Sequence, residues 1–319
     1  MIRTAQSLWL NAVGIPEIKS VPVTDPRPGE VGVRTLWSGV SRGTESIVLR
    51  GGVPQNQRDA MRAPFQEGDF PWPVKYGYLN VGVVELGPPD LVGRTVFCLY
   101  PHQTHYVVPE SAVTPVPDAV PARRAILAGT VETAVNALWD ARPLIGDRIA
   151  VVGGGMVGCG VAGVLAGFPG VRVQLVDVDH TRGAVAEALG VGFASPEAAW
   201  DECDLVVHAS ASEAGLSTAL RLLRKEGTVL ELSWYGDRTV GVPLGEAFHA
   251  KRLRLVSSQV GTVGRPDRSY AERMALALEL LADERFEALI GGETRFDELP
   301  SLMRGELPSL CQAVDYVQR

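Results

Sequence analysis

The run Ile149-Ala150-Val151-Val152 enters Gly153-Gly154-Gly155-Met156-Val157-Gly158, and that junction constrains this chain more than any other feature. A short apolar strand runs into G-x-G-x-x-G. A helical apolar pattern follows through Val161, Val164 and Leu165, and a second apolar strand, Val171–Val176, ends on Asp177. Strand, glycine turn, helix, strand and a terminal acid together make the unit that holds a dinucleotide. Gly153 allows the tight turn, Gly155 lets backbone approach a pyrophosphate, and Gly158 lets the helix pack on the strand. The helix start, with Met156 and Val157, offers unpaired N–H groups and partial positive charge to phosphates. The plainer alternative is a glycine-rich turn in an ordinary βαβ unit. Asp177 argues against it and also selects the ligand. A carboxylate at that tip accepts ribose hydroxyls and repels a 2′-phosphate, which favours NAD over NADP. Arg182 pulls the other way, because a guanidinium nearby accommodates a phosphate; its alternative is a solvated helix residue. Asp179 reads as a turn or cap residue.

A chain of 319 residues is long enough for two domains, and one such unit would not use it all. The net charge of −7 opposes a nucleic-acid surface. No apolar run is long enough to span a bilayer, and the start lacks a signal-peptide core, so a cytoplasmic protein is expected. Cys98, Cys159, Cys203 and Cys311 are scattered without a C-x-x-C pair, which indicates neither a disulfide framework nor a zinc knuckle.

Residues 1–125 are dense in turns and short strands. Val31–Trp37, Val81–Leu86, Arg94–Leu99 and His105–Val108 read as strands of a compact β-barrel-like domain, with Gln55–Asp69 as a surface helix or loop. Arg123–Ala141 has helical spacing, with Leu127, Val131, Val135 and Leu138 as its buried stripe. Strands and helices then alternate: helix Arg182–Leu189, strand Cys203–His208, helix Leu216–Leu223 ended by Gly227, strand Thr228–Leu232 and strand Leu253–Ser257. That order predicts an α/β fold with a doubly wound parallel sheet over 126–257. A helix near Ala271–Leu281, a short helix and a strand near Ala313–Val317 follow.

The whole order resembles the medium-chain dehydrogenase/reductase superfamily. The marks are Pro28-Gly29-Glu30-Val31, Trp37-Ser38-Gly39-Val40-Ser41-Arg42-Gly43-Thr44-Glu45, Gly77 before Val81-Gly82-Val83-Val84, Gly93-Arg94-Thr95-Val96 and Gly146-Asp147-Arg148. The resemblance implies a GroES-like β domain (1–125), a Rossmann domain (126–257) and a return segment (258–319) completing the first. Within the superfamily, the Ser-Arg-Gly-Thr-Glu segment and the short interdomain linker are most similar to the zinc-independent subgroup containing bacteriochlorophyllide dehydrogenase. Where zinc-dependent members carry their ligands, this chain has Ser41, Tyr78-Leu79 and Ala128-Gly129. A catalytic zinc takes three protein ligands and an open position, so no zinc is expected. The structural zinc lobe is missing too, since Phe97–His105 runs straight through its place. A metal held by His102, His105 and Cys98 lacks usual zinc spacing.

By the same resemblance Ser41 and Tyr78 face the substrate cleft. Tyr78 is the leading proton donor or acceptor, its alternative being a barrel-core tyrosine. Ser41 binds substrate or backbone, Thr44 contacts substrate, and Arg42 reaches the pyrophosphate. The alternative for this segment is a helix cap through Thr44 or Glu45. Glu132 lies on the helix that meets the nicotinamide, as an acid or base, as a carboxamide contact or in an interdomain salt bridge. His102 and His105 are candidate relays, more simply surface histidines. Val157 backs the nicotinamide; Ala209, Ser210, Ser233, Trp234, Ser258 and Gln259 line the cofactor passage. Trp72, Tyr76, Trp234 and Tyr235 permit a bulky substrate. Three functions follow: an NAD-dependent, zinc-free alcohol dehydrogenase or ketone reductase acting on a small molecule, a quinone or enone reductase, or a non-catalytic nucleotide-binding protein. A homodimer through the edge Leu253–Ser257 is expected.

Overall fold

The computed structural model describes residues 3–307 and 310–316. The chain divides into two compact units, one of Met1–Gly129 with Ile290–Arg319 and one of Thr130–Leu289.

The first unit is built mostly of antiparallel strand pairs. β1 (Arg3–Leu10) and β2 (Pro16–Val23) form a hairpin that continues through the two-residue strands β4 (Glu67–Gly68) and β5 (Val74–Lys75). A second sheet centres on the long β3 (Glu30–Val40), which pairs with β6 (Asn80–Leu86) and β8 (His105–Pro109); β7 (Thr95–Cys98) and β9 (Val113–Pro115) extend it. Val31, Val33, Val84, Val96, Tyr106 and Val108 fill its core, as period-2 alternation requires. Helix α1 (Arg42–Leu49) leaves the end of β3 directly. The expected helix over 123–141 is two helices, α2 (Ala122–Ala125) and α3 (Ala128–Ala141), separated by a turn in which Leu127 N–H bonds the Arg124 carbonyl. Its stripe Leu127, Val131, Val135 and Leu138 is buried.

The second unit is a doubly wound sheet of six strands, all parallel, in the order β12-β11-β10-β13-β14-β15. They are β10 (Arg148–Val152), β11 (Arg172–Val176), β12 (Gly192–Ala194), β13 (Cys203–His208), β14 (Leu223–Glu231) and β15 (Arg254–Ser257). Helices α4 (Met156–Leu165), α5 (Arg182–Leu189) and α6 (Glu213–Arg221) connect them. Helix α6 starts before the expected Leu216, because the Ser212 hydroxyl accepts the Gly215 N–H at 3.0 Å and caps it there. Gly227 does not end that helix. It lies inside β14, where a side chain would strike Leu223. Strand order reverses between β11 and β13 on either side of β10, which opens a crevice at their carboxyl ends.

Helix α7 (Tyr270–Leu280) begins with a Ser269/Glu272 capping box. The chain returns to the first unit at Ile290 rather than at 258. The contacts that hold 258–289 in the second unit include Phe286, which packs where a side chain on Gly163 of α4 would be, and the buried Arg273, which joins α7 to α3. After Ile290 come β16 (Ile290–Arg295), α8 (Leu299–Arg304) and β17 (Cys311–Asp315), and β17 pairs with β3. Of the expected terminal strand, Val317 lies outside the described residues. Among the described residues no helix is long and apolar enough to cross a membrane.

Candidate functional site

The glycine turn between β10 and α4 forms because three positions there tolerate no side chain or need none. Gly153 has φ +111°, and a Cβ on it would lie 2.6 Å from the Ser210 nitrogen. A Cβ on Gly158 would lie 1.9 Å from the Gly153 carbonyl oxygen, so helix α4 sits directly on the turn. Gly155 has nothing within 4 Å of where a Cβ would be. It precedes Met156, the first residue of α4, and leaves backbone open to a ligand phosphate. Asp177, at the tip of β11, accepts the Gly154 N–H at 2.6 Å with one oxygen and the Asp179 N–H at 2.8 Å with the other. Arg182 lays its stem over Gly154 and pairs with Asp179 at 3.1 Å. Asp179 also accepts from Thr181, the turn role expected of it. The carboxylate and guanidinium thus border the same glycine turn. These residues fit a dinucleotide.

At the end of β13, His208 is fully buried. Its Nδ1 is 2.7 Å from Glu231 Oε2 and its Nε2 is 2.7 Å from Ser210 Oγ. Ser210 Oγ lies 2.9 Å from Ser212 Oγ. Glu231 also accepts the Ser233 N–H at 2.7 Å and the Tyr235 hydroxyl at 3.1 Å. Burial alone would raise the Glu231 carboxyl, but its hydrogen bonds with His208 and Ser233 prevail and hold it below the ordinary carboxylate range. The Tyr235 phenol is pushed up to about 12 by burial and by the neighbouring Glu231. The Ser233 hydroxyl accepts the Ala211 N–H, and Ala209 N–H ties β13 to Val152. Trp234 is half-buried.

Ser258 and Gln259 follow β15 and are stitched to α3. Ser258 Oγ donates to Asp140 at 2.6 Å, and Asn136 Nδ2 meets the Gln259 carbonyl at 3.4 Å. Arg273 bonds Glu132 Oε1 at 3.0 Å, Asn136 Oδ1 at 2.5 Å and the Val260 carbonyl at 2.7 Å. Glu132 is therefore committed to a buried ion pair within the second unit, not an interdomain bridge. Burial raises its carboxyl while Arg273 opposes the shift.

In the first unit, Ser41 caps α1 with its backbone only; its side chain makes no cap bond. Glu45 supplies the bond instead, its Oε1 accepting Ser41 N–H at 2.8 Å. The Ser41 and Thr44 hydroxyls serve the Tyr78 phenol. Burial pushes Tyr78 up to about 12, hydrogen bonding from Ser41 and Thr44 works against this, and Glu45 adds to it. Three expected site residues are thus brought together. Arg42 is exposed at the first turn of α1. His102 is not a surface residue. It is 1% exposed, with Nε2 3.1 Å from Glu45 Oε2 and Nδ1 2.7 Å from Ser38 Oγ, which in turn meets the Tyr316 hydroxyl at 3.0 Å.

This donor set does not fit a catalytic zinc. Ser41 and Tyr78 present hydroxyls, and a side chain on Gly129 would strike Leu79 at 2.6 Å. Glu45 and His102 are spent on each other, on Ser41 N–H and on Ser38. Burial holds the nearby Cys311 thiol far above its ordinary value. Among the described residues no three His, Cys, Asp or Glu converge as metal ligands.

Sequence reasoning passed over the His208–Glu231 pair, the Glu45–His102 pair and Arg273. Each partner comes from a distant segment, and only the tertiary fold brings them together: two strand ends for His208 and Glu231, a helix and a loop for Glu45 and His102, two helices for Arg273 and Glu132. His208 at a strand end beside Ser210 was the available signal.

No protein-family model and no curated protein matches the chain in sequence. Solved structures do match in fold. A short chain alcohol dehydrogenase from E. coli, complexed with NADH, is 17% identical with a TM-score of 0.78 over 98% of this chain and 99% of that one. A putative zinc-binding dehydrogenase from Sinorhizobium meliloti, bound to NADP, is 16% identical with a TM-score of 0.80 over 98% and 100%. Acetophenone reductase from Geotrichum candidum, in complex with NAD, is 17% identical with a TM-score of 0.77 over 98% and 97%. At these identities the match establishes the fold, a Rossmann unit with a GroES-like unit, over essentially the whole chain.

Proposed function

We propose that this chain is a pyridine-nucleotide-dependent oxidoreductase of the medium-chain type, interconverting an alcohol and a ketone or aldehyde without catalytic zinc. The observation that carries the reading is the open backbone at Gly155, set between the start of α4 and the Asp177 carboxylate. The fold neighbours bound to NADH, NAD and NADP support it. Asp177 supports NAD as the preferred form, with Arg182 as the residue that keeps NADP affinity above zero. The Ser41–Glu45 segment supports a place among zinc-independent members.

The bound nicotinamide supplies hydride chemistry. The chain's own task is the proton. With its ionisation pushed to about 12, the Tyr78 phenol is protonated at neutral pH. It is therefore a donor: its O–H bonds to a substrate carbonyl oxygen and passes its proton as that oxygen becomes a hydroxyl. Ser41 and Thr44 orient the phenol and supply hydrogen bonds to the tyrosinate that remains. In the reverse direction the same tyrosinate takes the hydroxyl proton back. The same donor set suits reduction of an activated C=C, which needs no Lewis acid. The exposed edge strand β15, with Leu255 38% and Val256 44% accessible, supports a homodimer paired through it.

Titration with NADH and NADPH, followed by a ketone, alcohol and enone panel on chelator-treated protein, tests the proposal. The expected result is tighter NADH binding and ketone reduction that survives chelation. Turnover of enones alone selects the C=C reading. Binding of neither nucleotide, or activity that tracks zinc content, overturns it.

A further inference from the structure

Glu231, His208 and Ser210 form a carboxylate–imidazole–hydroxyl chain with both links at 2.7 Å. The connectivity is that of a triad in which the carboxylate fixes the imidazole tautomer. Its proton order can be worked out from the two ends. At one end, Glu231 is an ionised carboxylate that already accepts from Ser233 N–H and Tyr235 O–H, so the bond to His208 Nδ1 needs a proton on nitrogen. At the other end, Ser212 Oγ accepts the Gly215 N–H, and its own proton is available to Ser210 Oγ. A neutral His208 then has a lone pair on Nε2, and only the Ser210 proton can satisfy it. With the proton so placed, the donors and acceptors of this chain are all paired, and the carboxylate is its single charge. A second charge on a fully buried ring would add a desolvation cost.

We propose that His208 and Glu231 hold the Ser210 proton inward, so that Ser210 offers the crevice an acceptor and never a donor. Ser210 is half-buried, and its nitrogen lies against the Gly153 turn. The ligand group it takes is therefore a hydrogen-bond donor, a sugar hydroxyl or a carboxamide NH2, and not a phosphate oxygen. Ser210 is the specificity-determining contact; His208 and Glu231 are positioning residues. The ligand half of this inference rests on the pyridine-nucleotide reading above; the proton order does not.

Two measurements on the full chain test it. Long-range 1H–15N correlation NMR on 15N-histidine protein, without ligand at pH 8, reads the tautomer, with His208 assigned by its loss in His208→Gln. The expected signature is a neutral ring protonated on Nδ1, moving to Nε2–H in Glu231→Gln, whose amide donates to Nδ1. A wild-type ring protonated on Nε2, or on both nitrogens, overturns the proton order. NADH titration reads the ligand half. Ser210→Ala is expected to weaken binding about 5-fold, the loss of one hydrogen bond. Ser210→Thr is expected to restore it, with melting temperatures confirming that both variants fold. Unchanged binding in a folded Ser210→Ala overturns the ligand half. Wild-type protein that binds neither NADH nor NADPH sinks the cofactor reading and the ligand half together, and the NMR result then decides the proton order alone.

Discussion

At the level of single residues, the outcome turns on which groups had their partners close in sequence. Ser41 and Glu45 lie within one helical turn, so the cap that Glu45 gives the start of α1 is readable from spacing, whereas Ser41 and Thr44 as site residues come from fold resemblance. Tyr78 joined them through fold resemblance. Replacing Tyr78 with Phe keeps the ring and removes the proton. Carbonyl reduction should fall about 100-fold in kcat, with KM and NADH affinity nearly unchanged. A kcat within 2-fold of wild type would remove Tyr78 as the donor. Asp177 makes a second case. Its oxygens are satisfied locally, by Gly154 and Asp179 N–H groups, and also sit where a ribose is expected. Asp177→Ser should weaken NADH about 10-fold and tighten NADPH, because the repelling charge goes and the Arg182 guanidinium stays. Parallel weakening of both nucleotides, shown by titration, would mean that Asp177 only props the turn. The pairs His208–Glu231 and Glu45–His102 escaped notice for a physical reason. Their members lie 23 and 57 residues apart, and hydrophobic periodicity carries no information about which distant polar groups the fold brings together.

Elements were legible where apolar periodicity and a cap agreed. β10, α4, β11 and α5 fall within a residue or two of expectation, because a parallel strand buried on both faces is a plain apolar run. Segment 258–289, expected to complete the first unit, lies in the second, held by Phe286 over Gly163 and by polar contacts that leave no trace in the sequence pattern. Arg273, Glu132 and Asn136 form a buried clasp between α7 and α3, and the Val260 and Thr262 carbonyls close it. Residues at i and i+4 on α3 thus anchor a loop that has no regular structure of its own. Breaking such a pair leaves a buried charge without its partner and costs about 3–5 kcal/mol. Glu132→Gln should therefore lower the melting temperature. It should also speed amide exchange in 258–264 well before the strands of the sheet exchange. Protection in that loop equal to wild type would show that Arg273 is held by the carbonyls alone. The same variant separates a structural carboxylate from an acid or base, since a purely structural one leaves the pH profile of turnover in place.

Across the whole molecule, the balance of buried ionisable groups points to alkaline rather than acid fragility. Tyr76, Tyr78, Tyr100, Tyr106, Tyr235 and Tyr316 all ionise above the ordinary tyrosine value, each chiefly because burial disfavours the phenolate. Burial likewise pushes the Cys98 and Cys159 thiols up to about 12 and Cys203 to about 11. The direction of the stability change follows from linkage. Below the unfolded values, near 9 for thiols and near 10 for phenols, both states are protonated and these groups leave stability untouched. Above them the unfolded chain loses protons that the folded chain keeps, so it binds fewer, and stability falls with rising pH. The loss continues until the native groups ionise in turn, near 12 for Tyr78 and Tyr235. The urea midpoint should accordingly be flat from pH 7 to 8.5 and drop steeply between pH 10 and 12. Tyrosinate absorbance should lag behind that of free tyrosine and then rise together with the loss of structure. Native thiols should resist a disulfide reagent at pH 8 and react once the chain is unfolded, since all four cysteines are buried. Tyrosinate appearing near pH 10 in protein whose urea midpoint has not moved would show that these phenols are reached by water. The raised ionisation of Tyr78 would then be lost with them.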